Sequence, residues 1–178
     1  TPVGIAGIMG GLESEIEDDT GSVVLESANF DGVSIRKSSS RLGHRTDASA
    51  RYEKMLDPEL TLDAVGRFVA LVQSIDPDAK VASKLSDEYV RKYPEISLSF
   101  DKKYVDRYTG IDISNEQIEK TLTALGFAVD FADGNYTVKV PSWRATKDVT
   151  IKADFIEEIT RIYGYDNFSI ITTKSPLK

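Results

Sequence analysis

The amino-acid sequence predicts an α+β protein built from two consecutive domains. In the second half, Asp133-Gly134 separates two runs of alternating apolar residues, a pattern typical of a β-hairpin. The stretch 114–117, Ser-Asn-Glu-Gln, has the form of a capping box ahead of an apolar helical repeat. In the first half, apolar residues at helical spacing over 65–75 indicate an amphipathic helix. With the strand predicted over 22–30, strand and helix signals occur in both halves.

The first domain is expected to cover residues 1–90. Its predicted elements are a short strand entering a glycine turn over 3–11, a strand over 22–30, helices over 33–42 and 48–55, and a helix after Asp57-Pro58. The strand over 22–30 is expected to bury Val23, Val24 and Leu25. Asp57 suits a helix cap and Pro58 a first helical turn.

The second domain is expected to cover residues 94–166. Its predicted elements are a strand over 96–100, a helix over 102–108, a helix from 114 that ends before Gly126, a hairpin over 127–132 and 135–140, and a helix over 152–163. Strand, helix, helix, hairpin and helix in this order indicate a small winged-helix-like α+β domain. Residues 167–178 are expected to be a linker to a further domain.

Composition limits the class of protein. The 178 residues contain no cysteine, so disulfides and thiolate metal sites are excluded, which suits a cytoplasmic protein. No apolar run approaches the ~20 residues of a membrane-spanning helix, so no membrane contact is expected. With a net charge of −7, the chain lacks the basic character of a typical nucleic-acid-binding domain. The chain starts without Met or a signal pattern, and we expect it to be a piece of a longer protein.

Several motifs carry a family resemblance. The first half contains GIAGIMGG at 4–11, LESANF at 25–30 and RTDAS at 45–49. The second half contains PSWR at 141–144, DFIEE at 154–158 and RIYGYD at 161–166. In this order and spacing the motifs resemble the phenylalanyl-tRNA synthetase beta subunit. The first set resembles the C-terminal part of its mixed α/β (B3/B4-type) editing domain, and the second set resembles its B5-type domain.

The resemblance implies an editing pocket that hydrolyses mischarged Tyr-tRNA. The implied pocket residues are Ala6, Gly7, Gly10, Glu26, Thr46 and Ala48. Glu26 matches the glutamate that reads the tyrosine hydroxyl, because a carboxylate accepts that hydrogen bond strongly. The residue types alone favour another interpretation, in which the glycines form a turn, Glu26 is solvated, and Thr46 or Asp47 caps a helix.

No catalytic residue is assigned for this reaction. The family also has a pocket histidine upstream of the glycine turn, and the present chain begins after that point. The single histidine, His44, does not align with it. We therefore expect the chain to hold part of an editing site.

A group of acidic residues forms the second candidate site, namely Asp148, Asp154, Glu157 and Glu158. The last three share one helical face, and carboxylate oxygens suit Mg²⁺. The resemblance implies a magnesium site shared with the alpha subunit. We expect all four carboxylates on the exposed side of the last helix. The alternative is that carboxylates near a helix start interact favourably with the helix dipole.

The resemblance also implies the setting of the whole enzyme. It implies an alpha2-beta2 heterotetramer that joins phenylalanine to tRNA(Phe) with ATP and Mg²⁺, the synthetic site lying in the alpha subunit. This chain by itself is then not expected to aminoacylate. The alternative function is a non-catalytic winged-helix module for nucleic-acid binding or assembly. Its candidate contacts would be Trp143 and Arg144 together with Lys139, Lys147 and Lys152. Trp143 also suits a packing anchor at the end of the hairpin.

Overall fold

The structure is a computed structural model that describes residues 2–90 and 92–169. The chain forms two compact units, Thr1–Tyr93 and Pro94–Lys178. Helices and small antiparallel sheets occur together, so the predicted α+β class is confirmed. Most of the linker predicted over 167–178 lies outside the described residues. In the described stretches, no helix is long and apolar enough to cross a membrane.

The described residues of unit 1 form one two-stranded hairpin and three helices. Its elements are β1 (Gly4–Ile5), β2 (Met9–Gly10), a 3-10 turn (Leu12–Ser14), α1 (Gly32–Leu42), α2 (Asp47–Tyr52) and α3 (Leu60–Ile75). Gly7 lies in the turn between the strands with φ +67°. A Cβ there would lie 2.7 Å from Ile35 Cδ1, so this turn needs a glycine for both conformation and space.

The strand predicted over 22–30 is wrong, because these residues have no regular structure. Val24 is 99% exposed, and Val23 and Leu25 are also exposed rather than buried. The only sheet in the described part of unit 1 is the β1–β2 hairpin, so this apolar run has no strand with which to pair.

The two shorter helices of unit 1 follow local signals. Helix α1 begins at the Asp31 cap, whose carboxylate accepts a hydrogen bond from Ser34 N at 2.7 Å. It ends at Gly43, which has φ +63°. Helix α2 spans 47–52 instead of the expected 48–55, and the positive φ of Met55 lies beyond its end.

Helix α3 covers the predicted amphipathic stretch but buries no residue. Phe68 is 41% exposed and Ile75 is 84% exposed. The sequence therefore predicts the helix correctly, whereas its apolar stripe is only half-covered in the described part of the chain.

Unit 2 has the predicted order of strand, two helices, hairpin and helix. Its elements are β3 (Ile96–Asp101), α4 (Lys102–Thr109), α5 (Asn115–Ala124), β4 (Ala128–Ala132), β5 (Asn135–Val140), the short α6 (Ser142–Ala145), α7 (Lys152–Tyr163) and a 3-10 turn (Tyr165–Asn167). The antiparallel sheet has the order β3-β5-β4, with Ile96 opposite Val140 and Ala132 opposite Asn135. The predicted order of elements is confirmed, and the winged-helix-like assignment stays a prediction.

The core of unit 2 lies between this sheet and the helices. Phe155 of α7 packs against Phe100 and Phe127, with both ring centroids at 5.4 Å. Tyr136 is fully buried and donates its hydroxyl hydrogen bond to Asn115 Oδ1 at 2.7 Å. Burial raises the pKa of Tyr136 to about 12, which keeps this donor protonated.

Local signals place the turns of unit 2. Asp133 and Gly134 have φ 51° and 79°, as a two-residue turn with two left-handed positions requires. Ser114 Oγ accepts a hydrogen bond from Gln117 N at 3.2 Å and caps α5. The Gln117 amide donates to Thr121 Oγ1 instead of returning to the cap, so half of the predicted capping box forms.

Candidate functional site

Thr46 joins the glycine turn to helix α2. Its Oγ1 donates a hydrogen bond to Ile8 O at 2.6 Å and accepts one from Ser49 N at 3.1 Å. The Ser49 hydroxyl in turn accepts a hydrogen bond from Thr46 N at 2.9 Å, which completes a reciprocal cap. Two of the predicted pocket segments are therefore adjacent, and Thr46 has a structural role as the cap of α2.

A cavity of about 320 Å³ opens between the glycine turn and α1. Ile8, Phe30 and Ile35 supply apolar walls, and Ala6 from the predicted pocket set lies on the lining. A Cβ on Gly7 would collide with Phe30 and Ile35, so the backbone at Gly7 packs directly against this wall. The volume suits a small apolar group with polar substituents.

The polar part of this cavity comes from residues that sequence reasoning missed, namely Asp31, Ser34 and Ser38. Ser34 and Ser38 are four residues apart and so share one face of α1. The i, i+4 spacing of these two serines could have indicated a shared polar face. The cluster at 38–40 instead drew attention to the low helix propensity of serine. Ser39, on a different face, is buried and donates to His44 O at 2.7 Å.

The other predicted pocket residues are dispersed. Glu26 is exposed, and in residues 2–90 and 92–169 its carboxylate has no hydrogen bond or ion pair that joins it to the glycine turn or to Thr46. Its neighbour Ser27 donates to Thr61 O at 2.9 Å, which attaches this segment to α3. Ala48 is half-buried on α2, and Gly10 is exposed. A common cleft for Glu26 and Thr46 stays a prediction.

The acidic set divides into two environments. Glu157 is exposed on α7, whereas Asp154 accepts hydrogen bonds at Oδ2 from Thr150 N at 2.8 Å and Ile151 N at 3.0 Å. Asp154 thus binds backbone N–H groups at the start of α7, which agrees with the helix-terminus interpretation of this residue. Asp148 is exposed and accepts from Arg144 Nε at 2.5 Å.

The expectation that all four carboxylates are exposed is wrong for Glu158, which is 6% exposed. Arg144 Nη2 donates to Glu158 Oε1 at 2.7 Å, and Arg161 Nη2 donates to Oε2 at 2.6 Å. Burial alone would raise the pKa of Glu158, but the hydrogen bonds from Arg144 and Arg161 outweigh it and lower the pKa. The hydrogen bond to Glu158 also raises the pKa of the Arg144 guanidinium, despite opposing desolvation. Two arginines therefore make this burial tolerable.

The residues present do not fit a magnesium site within this chain. Both oxygens of Glu158 bind guanidinium groups, and Asp154 Oδ2 binds two backbone N–H groups. Across the described ranges, no group of three or more acidic or histidine side chains is placed to hold a metal ion. Mg²⁺ needs several oxygen ligands in near-octahedral geometry, which this arrangement does not supply.

Trp143 and Arg144 are a poor match for a nucleic-acid contact. Arg144 is occupied by Asp148 and Glu158, and its guanidinium carbon lies 5.6 Å from the centre of the Phe127 ring. Trp143 is 54% exposed, and its Cζ2 lies 3.2 Å from the position of a Cβ on Gly126. Arg144 is a packing and ion-pair residue, and Trp143 covers Gly126.

Comparison with known protein families identifies both halves of the chain. Residues 1–77 match the B3/4 domain family, and residues 98–165 match the family described as tRNA synthetase B5 domain. Each half of the chain is therefore similar to one of these two domain families. The glycine turn, Glu26 and Thr46 lie in the B3/4 domain, whereas the four acidic residues lie in the B5 domain.

Relatives align with both halves of the chain within one polypeptide. The chain is 41% identical over 165 residues to the phenylalanine–tRNA ligase beta subunit of Clostridium tetani, covering 93% of this chain and 20% of that protein. It is 40% identical over 168 residues to the protein of the same name from Lactococcus lactis, covering 93% and 20%. The resemblance to this beta subunit is confirmed, and the chain spans about a fifth of the length of these relatives.

A solved structure of an N-terminal fragment of the phenylalanyl-tRNA synthetase beta-subunit from Pyrococcus horikoshii is similar to part of this chain. It has 18% identity and a TM-score of 0.37, covering 43% of this chain and 21% of that chain. A score this low does not establish a common fold.

Proposed function

We propose that this chain is a segment of a phenylalanine–tRNA ligase beta subunit and that its B3/4 domain contributes to hydrolytic editing of mischarged Tyr-tRNA. The observation that carries the proposal is the ordered pair of domain matches in this chain, B3/4 and then B5. Relatives named phenylalanine–tRNA ligase beta subunit, about 40% identical over most of the chain, agree with it. The same order agrees with the motif sets at 4–49 and 141–166.

The need for editing follows from the limits of apolar recognition. A pocket that accepts phenylalanine rejects an analogue with one added hydroxyl by only about 10²-fold. A second site that hydrogen-bonds the hydroxyl reverses this preference, because phenylalanine would leave its polar group unpaired. In this proposal, the Glu26 carboxylate accepts the hydrogen bond from the tyrosine hydroxyl.

The geometry of unit 1 supports this role in two ways. The Thr46–Ile8 hydrogen bond holds the glycine turn beside α2, and the cavity next to that turn has apolar walls and a polar side. Glu26 is exposed and available as an acceptor for an incoming hydroxyl. In this proposal, the segment that carries Glu26 moves towards the cavity beside the glycine turn when the aminoacyl ester binds.

The complete enzyme supplies the remaining functions of this proposal. Aminoacylation with ATP and Mg²⁺ takes place at a synthetic site in the alpha subunit, and alpha and beta subunits assemble as an alpha2-beta2 heterotetramer in the cytoplasm. This chain contributes editing residues and helps to organise tRNA(Phe) and the subunits. No step of its own is assigned to a metal ion.

The test is Glu26→Ala in the complete enzyme. Loss of a charge-assisted hydrogen bond of roughly 1.5–3 kcal/mol should slow Tyr-tRNA deacylation about tenfold or more, while phenylalanine activation is unchanged. Deacylation of preformed Tyr-tRNA and ATP–pyrophosphate exchange measure the two activities separately.

Glu15→Ala is the matched control, because Glu15 is also an exposed carboxylate in unit 1. It should deacylate Tyr-tRNA at the wild-type rate. A Glu26→Ala enzyme with wild-type deacylation would refute Glu26 as the hydroxyl reader, and equal losses in both variants would point to a general charge effect.

A further inference from the structure

A second cleft, independent of the proposed editing pocket, lies in unit 2 beside β3 and α4. It has a volume of about 430 Å³, within the range of small-ligand sites. Three cationic side chains line it, Lys103, Arg107 and Lys152. A single carboxylate, Asp101, is on the lining, and it caps α4 by accepting a hydrogen bond from Tyr104 N at 2.7 Å.

Two of these cations lie over the Tyr104 ring, and the guanidinium carbon of Arg107 also lies 5.3 Å from the centre of the Tyr108 ring. Lys152 Nζ lies 4.6 Å from the centre of the Tyr104 ring, and the guanidinium carbon of Arg107 lies 5.6 Å from it. Tyr104 is 8% exposed and is part of the core, so the ring is a fixed support. Cation–π contacts therefore position these charges before any ligand arrives.

The cations of the cleft also outnumber its carboxylates, with Lys103, Arg107 and Lys152 against Asp101. In the part of the chain that the structure describes, none of the three cations makes an ion pair. The neighbouring Lys102, by contrast, pairs with both Asp106 and Asp112. Three unpaired cations on one cleft are notable in a chain with net charge −7, because they create a local positive potential in a negative background.

We propose that this cleft binds a small molecule that carries a phosphate monoester. A phosphate has several strong acceptor oxygens for the three cations, and charge-assisted hydrogen bonds are the strong ones. Ser99 and Asn135 on the same lining offer polar groups to the rest of the ligand. The observations favour a small ligand over a nucleic-acid strand, because a strand needs cations along its whole path and the chain is acidic beyond the cleft.

The test is a titration of the full chain with glycerol 3-phosphate, followed by ¹H–¹⁵N amide shifts. Saturable shifts should appear at 101–107 and around 152, and glycerol should cause none. The double variant Arg107→Met/Lys152→Met should bind glycerol 3-phosphate about tenfold or more weakly, while the methionine stems still cover the Tyr104 ring.

The double variant Lys120→Met/Lys147→Met is the matched control. It removes two exposed cations that do not line the cleft and changes the net charge equally. It should bind glycerol 3-phosphate as the wild type does. Thermal unfolding checks each protein, and Lys103→Met, at an exposed position, provides a second test of the cleft if the first variant loses its fold.

Two results would overturn the proposal. One is the absence of glycerol 3-phosphate shifts, or shifts that the cleft variants leave unchanged. The other is binding of a short single-stranded uridine oligonucleotide through the same residues without any binding of glycerol 3-phosphate, which would assign the cleft to nucleic acid. Neither result bears on Tyr-tRNA deacylation, so the editing proposal would stand or fall separately.

Discussion

The two units of this chain differ in how they are held together. In the described residues, fourteen buried apolar side chains form one cluster in unit 2, whereas Ile8 and Ile35 are the only large apolar side chains that unit 1 buries. Each fully buried large apolar side chain contributes about 1.5–3 kcal/mol, so this difference is large compared with the stability of a small domain. Unit 1 instead relies on polar ties such as Thr46 to Ile8 and Ser27 to Thr61.

From this difference we expect unit 2 to fold by itself and unit 1 to be less stable alone, because unit 1 leaves most of its apolar residues exposed. Helix α3 illustrates this exposure, because its amphipathic stripe has no buried residue. The candidate sites differ in the same way. The cleft proposed to bind phosphate is lined by the core residue Tyr104. Glu26 of the editing proposal lies in a segment without regular structure.

Separating the units should give the largest effect. Residues 94–178 expressed alone should unfold in one cooperative thermal transition, because their core is complete. Residues 1–93 alone should lose ellipticity gradually, without a cooperative transition. Circular dichroism with heating measures both, and the intact chain is the control. A sharp transition of the 1–93 fragment, at a midpoint as high as that of 94–178, would contradict the expected difference in stability between the two units.

Removal of the buried charge in unit 2 should have a medium effect. Glu158→Gln weakens the hydrogen bonds to Arg144 and Arg161 and should lower the free energy of unfolding by about 1.5–3 kcal/mol. Glu157→Gln, the exposed neighbour on α7, should stay within about 0.5 kcal/mol of the wild type. Urea unfolding of the 94–178 unit or of the intact chain measures both variants, and equal effects would contradict the burial argument.

The effect of Glu158→Gln on the free energy of unfolding should depend on pH. The pKa of Glu158 in the folded state lies below its ordinary value of 4.5, so its stabilisation is fully present above that value. It is lost as the pH falls through the folded-state pKa. The difference in unfolding free energy between wild type and Glu158→Gln should therefore be constant near neutral pH and shrink below about pH 4.5. A difference that grows on acidification would be inconsistent with this sign.

Loss of the Thr46 tie in unit 1 should have the smallest effect on the free energy. Thr46→Ala removes the α2 cap and the bond to Ile8 O and should cost about 1 kcal/mol. Amide hydrogen exchange of the glycine turn should become faster, and Thr46→Ser should restore most of the protection because it keeps the hydroxyl. Unchanged exchange in Thr46→Ala would show that the turn is held by other contacts.

Sequence alone placed most of the helices and the hairpin of unit 2. Asp133-Gly134 determined the hairpin turn because few residues adopt two successive positive φ angles, and Gly126 follows α5 for a related reason. The amphipathic repeats of α3 and α7 likewise predicted their own bounds within a few residues. These features depend on the residue itself and on neighbours within a turn or two.

Tertiary structure alone decided the features that depend on distant partners. Val23 to Leu25 have strand-like composition but no adjacent strand, so they remain exposed. Glu158 is spaced like a surface carboxylate, yet Arg144, fourteen residues away, makes it a buried ion-pair residue. The i, i+3 partner Arg161 is part of the local pattern, but the burial of Glu158 and its pairing with Arg144 depend on which side chains the fold brings within hydrogen-bond distance.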